Sequence, residues 1–255
     1  MGLLNDKRII VTGGAAGIGL ACAKAYVREG ARVAVLSLEP EVLSLISAEL
    51  GDPHLGICCN VADAASVENA FQTVLQQFNG LDAIHNNAGI AHPSKPLHET
   101  SDEAFDLLMN VNVRSILYTT RFGLAALRAS RGVILNTGSM VGEIGQDNHA
   151  IYAATKGALH ALTKSMALDY APDGIRVNAL APAAVWTETL KRWNQEQPDP
   201  ARMADYLARI HPLGYCPEPD VIADAAVFLL SDQARFITGC ILPVSGGAEL
   251  GYRSL

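Results

Sequence analysis

Thr12-Gly13-Gly14-Ala15-Ala16-Gly17-Ile18-Gly19 is the stretch that decides the fold. Ahead of it, residues 7–12 form a short β-branched run. Behind it, Ile18, Cys22, Ala25 and Tyr26 recur at helical spacing as far as Gly30, a suitable C-terminal cap. Another apolar run follows at residues 32–36. Strand, glycine turn, helix, strand is the first unit of a dinucleotide-binding fold. The glycines let the backbone pass close to a pyrophosphate, and the helix start offers free N–H groups at the positive end of its dipole. The spacing T-G-x-x-x-G-x-G departs from the commoner G-x-G-x-x-G, so the mechanism is matched rather than the letter.

The same alternation continues along the chain. Val42, Leu45, Ile46 and Leu50 mark a second helix closed by Gly51-Asp52-Pro53, and residues 55–59 a third strand leading to Asn60-Val61. Val67, Phe71, Val74 and Phe78 give a third helix. A fourth strand at 81–85 ends at Asn86-Asn87-Ala88-Gly89. Thr100 with Glu103 reads as a capping box opening a long helix through Phe105, Leu108, Met109, Ile116 and Leu117. Residues 132–136 form a fifth strand leading to Ser139. A helix then carries Tyr152, Leu159, Leu162, Met166 and Leu168, and strands follow at 175–180 and 239–244, the last after a helix at 221–230. Apolar strands alternating with helices predict an α/β fold: one doubly wound parallel sheet (Rossmann-like) of about seven strands, helices on both faces, forming a single domain over residues 1–255. Ligands bind at the carboxyl ends of such strands. Residues 183–219, with Trp186, Trp193, a Gln195-to-Pro200 polar run and an amphipathic Met203, Leu207, Ile210 pattern, are expected to form a substrate-loop insertion.

Composition excludes several classes. A net charge of −7 without a basic run argues against nucleic acid or an anionic membrane surface. No apolar run reaches a membrane span and no signal peptide precedes the first strand, so a cytoplasmic protein is expected. The five cysteines are expected to be reduced and mostly buried, and no histidine spacing suggests a metal.

Tyr152-Ala153-Ala154-Thr155-Lys156 puts a phenol and an ammonium one helical turn apart. An ammonium about 4 Å away is worth ~4 kcal/mol at an effective dielectric of ~20. That is enough to lower a phenol by about three pKa units, before the lysine's own desolvation is subtracted. Tyr152 is then a general base, with Ser139 holding the substrate oxygen.

These pieces resemble the short-chain dehydrogenase/reductase family over essentially the whole chain: Thr12-Gly13-x-x-x-Gly17-Ile18-Gly19, Asn86-Asn87-Ala88-Gly89, Asn112, Ser139, Tyr152-x-x-x-Lys156, Arg176-Val177-Asn178 and Ser245-Gly246-Gly247. The resemblance implies hydride transfer between a carbinol carbon and a nicotinamide. In it, Asn112, Ser139, Tyr152 and Lys156 are catalytic; Asn112 interrupts its helix and holds a water that relays the proton, and Lys156 bridges the nicotinamide ribose. Gly13, Ala16, Gly17, Ile18, Gly19, Ser37, Asn60, Val61, Asn87, Ala88, Gly89, Val185 and Thr187, with Tyr152 and Lys156, line the cofactor. A homo-oligomer, commonly a tetramer, is implied as well. Residues 141–146, Val185-Trp186-Thr187 and the ending through Tyr252 are similar to the 17β-hydroxysteroid dehydrogenase type 14 / L-fucose dehydrogenase group, which places Ser139, Gln146, His149, Tyr152 and Trp186 near a sugar or other secondary alcohol. Three positions depart from the family: Ser37 where NAD-preferring members carry Asp, Asn60 where Asp accepts from the adenine, and Ala183 where Gly follows the proline. No cation lies within reach of Ser37, since Arg32 is five residues back along the strand, and Glu39 repels a 2′-phosphate. The charge argument favours NAD over NADP; the alternatives are an NADPH-dependent ketone reductase or a hydroxysteroid dehydrogenase, and, of another class, a nucleotide-binding protein without catalysis.

Overall fold

Strand β1 (Arg8–Thr12), helix α1 (Gly17–Arg28) and strand β2 (Arg32–Ser37) follow one another as the glycine stretch requires. They belong to a computed structural model that describes residues 2–251, apart from the side chain of Leu45. That side chain, an expected marker of the second helix, and Tyr252, part of the closer likeness, lie outside the described residues. The chain continues as α2 (Pro40–Leu50), β3 (Leu55–Cys58), α3 (Ala64–Phe78), β4 (Ala83–Asn86), α4 (Asp102–Met109), α5 (Ser115–Ser130), β5 (Val133–Thr137), α6 (Ala150–Tyr170) and β6 (Arg176–Pro182). It ends with α7 (Glu188–Gln195), α8 (Pro200–Arg209), α9 (Asp220–Leu230) and β7 (Ile241–Val244).

All seven strands are parallel and run in the order β3-β2-β1-β4-β5-β6-β7. After β3 the chain crosses back from the sheet edge to place β4 beside β1. The strand order reverses there, and a crevice opens between the carboxyl ends at Thr12 and Asn86. Both sheet faces are covered. Cys22, Tyr26, Leu43, Ile46, Ile222 and Val227 of α1, α2 and α9 pack on one face. Val67, Phe71, Ile116, Leu159 and Met166 of α3, α5 and α6 pack on the other. Each fully buried side chain of this size is worth about 1.5–3 kcal/mol, which is why the strands read as continuous apolar runs. At the strand starts, away from the crevice, the Arg8 guanidinium grips both oxygens of Asp82, at 2.7 and 3.0 Å.

Several expectations are corrected. The cap of α4 is Ser101, whose hydroxyl accepts from the Ala104 N–H, whereas Thr100 Oγ1 turns back to the Pro96 carbonyl. The long helix read from periodicity is broken where the resemblance has Asn112 interrupt it: residues 110–114 form one wide π turn between α4 and α5, a local expansion of the helix. Cys22, Cys59 and Cys216 are buried, but Cys58, at the end of β3, is exposed. All five thiols are free. The 183–219 segment holds a second helix, α7, that hydrophobic spacing did not reveal; its eight residues carry only Leu190 and Trp193 as large apolar side chains, too few to mark a helical period.

Candidate active site

The crevice holds a cleft of about 340 Å³ lined by Gly13, Ala16, Gly17 and Ile18 of the glycine turn, by residues 87–91, and by Thr137, Ser139, Tyr152, Lys156, Pro182 and Thr187. The loops that follow β1, β4, β5 and β6 therefore meet at one place. Of the expected residues, Gly19, Ser37, Asn60, Val61, Asn112, Gln146, His149, Val185 and Trp186 are not among those that line this cleft; Ser37 ends β2, and Asn60 and Val61 follow β3. Val185 and Val61 are buried. Thr137, Ile90, Ala91, Gly138, Pro182 and Thr189 line the cleft without having been singled out. Thr137 and Pro182 could have been found from the strand ends, which run one and two residues further than the apolar pattern indicated.

Gly19 is confined by the protein itself: a Cβ there would overlap the Gly13 carbonyl oxygen and Asn87 Nδ2. Gly17, at φ 51°, turns the chain into α1. The helix begins with no side-chain cap on its N–H groups. Uncapped donors at the end of a twelve-residue helix, bordering a cleft floored by glycine, suit the phosphates of a dinucleotide. Asn60 Oδ1 accepts from the Ala62 N–H, leaving one lone pair for a ligand.

Asn112 is buried in the π turn, and both ends of its amide are used: Oδ1 accepts from the Ile90 N–H, while Nδ2 donates to the Ile90 carbonyl and Thr155 Oγ1. It ties the loop after β4 to α6. Asn86 has a similar job deeper in the sheet, where Asn86, Asn136, Thr119 and Thr163 form a buried hydrogen-bonded chain joining β4 and β5 to α5 and α6. On the opposite face Tyr26 Oη and Thr137 Oγ1 each lie 2.9 Å from a ring nitrogen of His85. Thr137 Oγ1 donates in turn to Asn87 Oδ1, and Asn87 Nδ2 donates to the Thr12 and Gly13 carbonyls. Burial holds His85 down to about 3, so it is neutral at ordinary pH.

Tyr152 and Lys156 stand one turn apart on α6, as expected, but their electrostatics differ from the expectation. Nζ donates to the Thr137 carbonyl at 2.7 Å and lies 5.7 Å from the centre of the Tyr152 ring. Burial pushes the phenol above its ordinary value and the Ser139 hydroxyl pulls the other way. Burial also lowers Lys156 to about 8. The ammonium is spent on a carbonyl rather than on the phenol, and desolvation acts on both groups. Ser139 begins a short turn in which its Oγ accepts from the Val141 N–H. His149 packs edge-on to Tyr152 with ring centres 6.2 Å apart and meets Ser94 Oγ.

A lysine with a folded pKa near 8 against an ordinary 10.5 carries a penalty on the order of 3 kcal/mol while protonated. The penalty is full below about pH 8 and fades as the unfolded chain loses the same proton toward 10.5. Lys156→Met keeps the length and drops the charge, but leaves the Thr137 carbonyl unpaired at a cost of about 1–3 kcal/mol. The variant is expected to be at least as stable as the parent at pH 7 and to lose ground between pH 8 and pH 10, read from urea midpoints. A constant difference across that range would contradict the assigned charge state.

The family model described as enoyl-(acyl carrier protein) reductase matches residues 13–249. The L-fucose dehydrogenase of Bos taurus is 38% identical over 246 residues, 96% of this chain and 90% of that one. This chain belongs to the short-chain dehydrogenase/reductase family. It is an oxidoreductase of that family. The 2,5-dichloro-2,5-cyclohexadiene-1,4-diol dehydrogenase of Sphingobium indicum is 39% identical over 96% of this chain and 97% of its own. Among solved structures, the 3-ketoacyl-(acyl-carrier-protein) reductase of Brucella melitensis, complexed with NADH, superposes with a TM-score of 0.89 at 32% identity, covering 96% of this chain and 99% of that one. No helix among the described residues is long and apolar enough to cross a membrane.

Proposed function

We propose that this short-chain dehydrogenase/reductase oxidises a secondary alcohol, a sugar or another small hydroxy compound, with NAD as the acceptor. The observation that carries the reading is the meeting of Ser139, Tyr152 and Lys156 with the glycine turn in one cleft. A bound nicotinamide would supply the hydride acceptor for the carbinol carbon. Ser139 holds the alcohol oxygen, and the Tyr152 phenolate takes the hydroxyl proton as the carbonyl forms. Lys156, whose proton is held loosely in its buried position, stands one turn from the phenol, where it would tune Tyr152 and hold the nicotinamide ribose. Asn112 keeps the loop after β4 beside α6, and residues 183–219 close over the substrate from the α7 side, with Thr187 against Gly17. The enzyme is read as a cytoplasmic homotetramer.

The choice of NAD follows from where the cations are. Arg32 lies over the Phe78 ring and donates to the Gln77 carbonyl, and Lys24 pairs with Glu49. A 2′-phosphate of roughly two negative charges beside Ser37 would lack a partner. The relatives act on a sugar and on a cyclic diol by name, which supports a polyhydroxy substrate. NAD and NADP reduction measured over aldoses, polyols and hydroxysteroids is expected to give turnover with at least one sugar or polyol, and a kcat/KM at least about tenfold higher with NAD, the ratio that ~1.4 kcal/mol of repulsion supplies. Preference for NADP would overturn the charge argument, and turnover of steroids alone would overturn the substrate class.

A further inference from the structure

Tyr152, Lys156 and His160 follow at four-residue steps on α6, so the imidazole lies one turn beyond the ammonium on the same side of the helix. His160 is 3% exposed and its ring is wedged into the turn that carries Ser139. A Cβ on Gly138 would come to 2.5 Å from its Nε2, and one on Gly142 to 2.6 Å from its Cε1. The two glycines bracket the serine, and neither has room for a side chain while the ring is in place. Nδ1 lies 2.9 Å from Oε1 of Glu143, the next residue of that turn. A carboxylate only accepts, so Nδ1 carries the hydrogen and Nε2, buried with no partner, keeps its lone pair. Burial first, then Lys156 and Lys164, holds the ring neutral against the pull of Glu143. A single hydrogen bond thus fixes both the tautomer and the orientation of a ring that touches the base-bearing helix and the serine turn together.

We propose that the Glu143–His160 pair is a positioning device that sets the separation between Ser139 Oγ and the Tyr152 phenol. The inference rests on the proposed roles of those two groups. Neither member touches the cleft, so its action is on geometry alone. Misplacing a reacting group by about 1 Å costs up to ~100-fold in rate, and a turn freed at one side chain falls within that range.

Four variants test it: Glu143→Ala, Glu143→Gln, His160→Leu and Ser139→Ala. Glu143 is half exposed, so the alanine variant folds even if the buried leucine does not. In Glu143→Ala kcat is expected to fall about tenfold or more, with NADH affinity by tryptophan quenching unchanged. Deuterium uptake should rise in residues 138–144 and stay constant in residues 12–19. Glu143→Gln keeps an oxygen that accepts from Nδ1 and should recover most of the rate. Wild-type kcat in Glu143→Ala beside a dead Ser139→Ala overturns the device and leaves the dehydrogenase reading standing. Equal loss in the alanine and glutamine variants overturns the hydrogen-bond account. Full activity in Ser139→Ala removes the serine's role and the device with it.

Discussion

Replacing Tyr152 by phenylalanine is expected to remove at least about three orders of magnitude of kcat, the upper part of the range for a single general acid–base group. NADH affinity should change less than about threefold, worth under ~0.7 kcal/mol. The substitution removes one oxygen from a ring already packed against His149 and the cleft wall, so the fold has no reason to respond. The parent enzyme supplies a second, linked observation. Burial holds the phenol above its ordinary value, so the deprotonated fraction, and with it the rate of alcohol oxidation, should rise as pH increases from neutral. That rise should be missing from whatever activity Tyr152→Phe retains. Stopped-flow rates with a saturating alcohol over pH 6–10 separate the outcomes. Substantial turnover in the phenylalanine variant, with the same pH slope, would transfer the base to another group.

Gly19→Ala is expected to cost several kcal/mol of stability and to abolish dinucleotide binding in what remains folded. A Cβ at this position has no space, because the Gly13 carbonyl and Asn87 Nδ2 already occupy it and both belong to the turn itself. Relief requires moving either the backbone of the turn or Asn87, whose amide also donates to the Thr12 and Gly13 carbonyls. Overpacking with such rigid neighbours costs about 1–3 kcal/mol before the lost hydrogen bonds are added. Gly51→Ala offers the contrast: nothing lies within 4 Å of its Cβ position, and only its φ of 71° is unfavourable. Thermal midpoints should therefore fall much further for residue 19 than for residue 51, and NADH titration should show binding lost only in the former. Equal losses at both positions would contradict the crowding account of Gly19.

The pH dependence of Lys156→Met and the partial losses in the Glu143 variants are smaller effects that report on the same neighbourhood. Together with Tyr152→Phe they separate three contributions: the proton acceptor, the charge beside it, and the geometry that aligns it with Ser139.

Local pattern alone determined a great deal. Short β-branched runs with turn residues at their ends placed all seven strands, and the glycine spacing after the first strand located the crevice where the strand order reverses. Tyr152 and Lys156 were legible because a helix has one period, so four-residue spacing implies one face. Other features were not written locally. Ser101 displaced Thr100 as a cap because both have the chemistry and only the path of the chain at Pro96 chooses between them. The break at Asn112 was implied by the family resemblance and has no periodic signal of its own; its partners, the Ile90 N–H and carbonyl, lie 22 residues away and are brought to it only by the fold. The charge state of the Tyr152–Lys156 pair depends on desolvation and on the Thr137 carbonyl, and both exist only after β5 and α6 have packed. Sequence periodicity determines which side of an element a residue occupies; which partner it finds there, and how far water has been excluded, is decided by the tertiary structure, because burial and hydrogen-bond competition are properties of the assembled core.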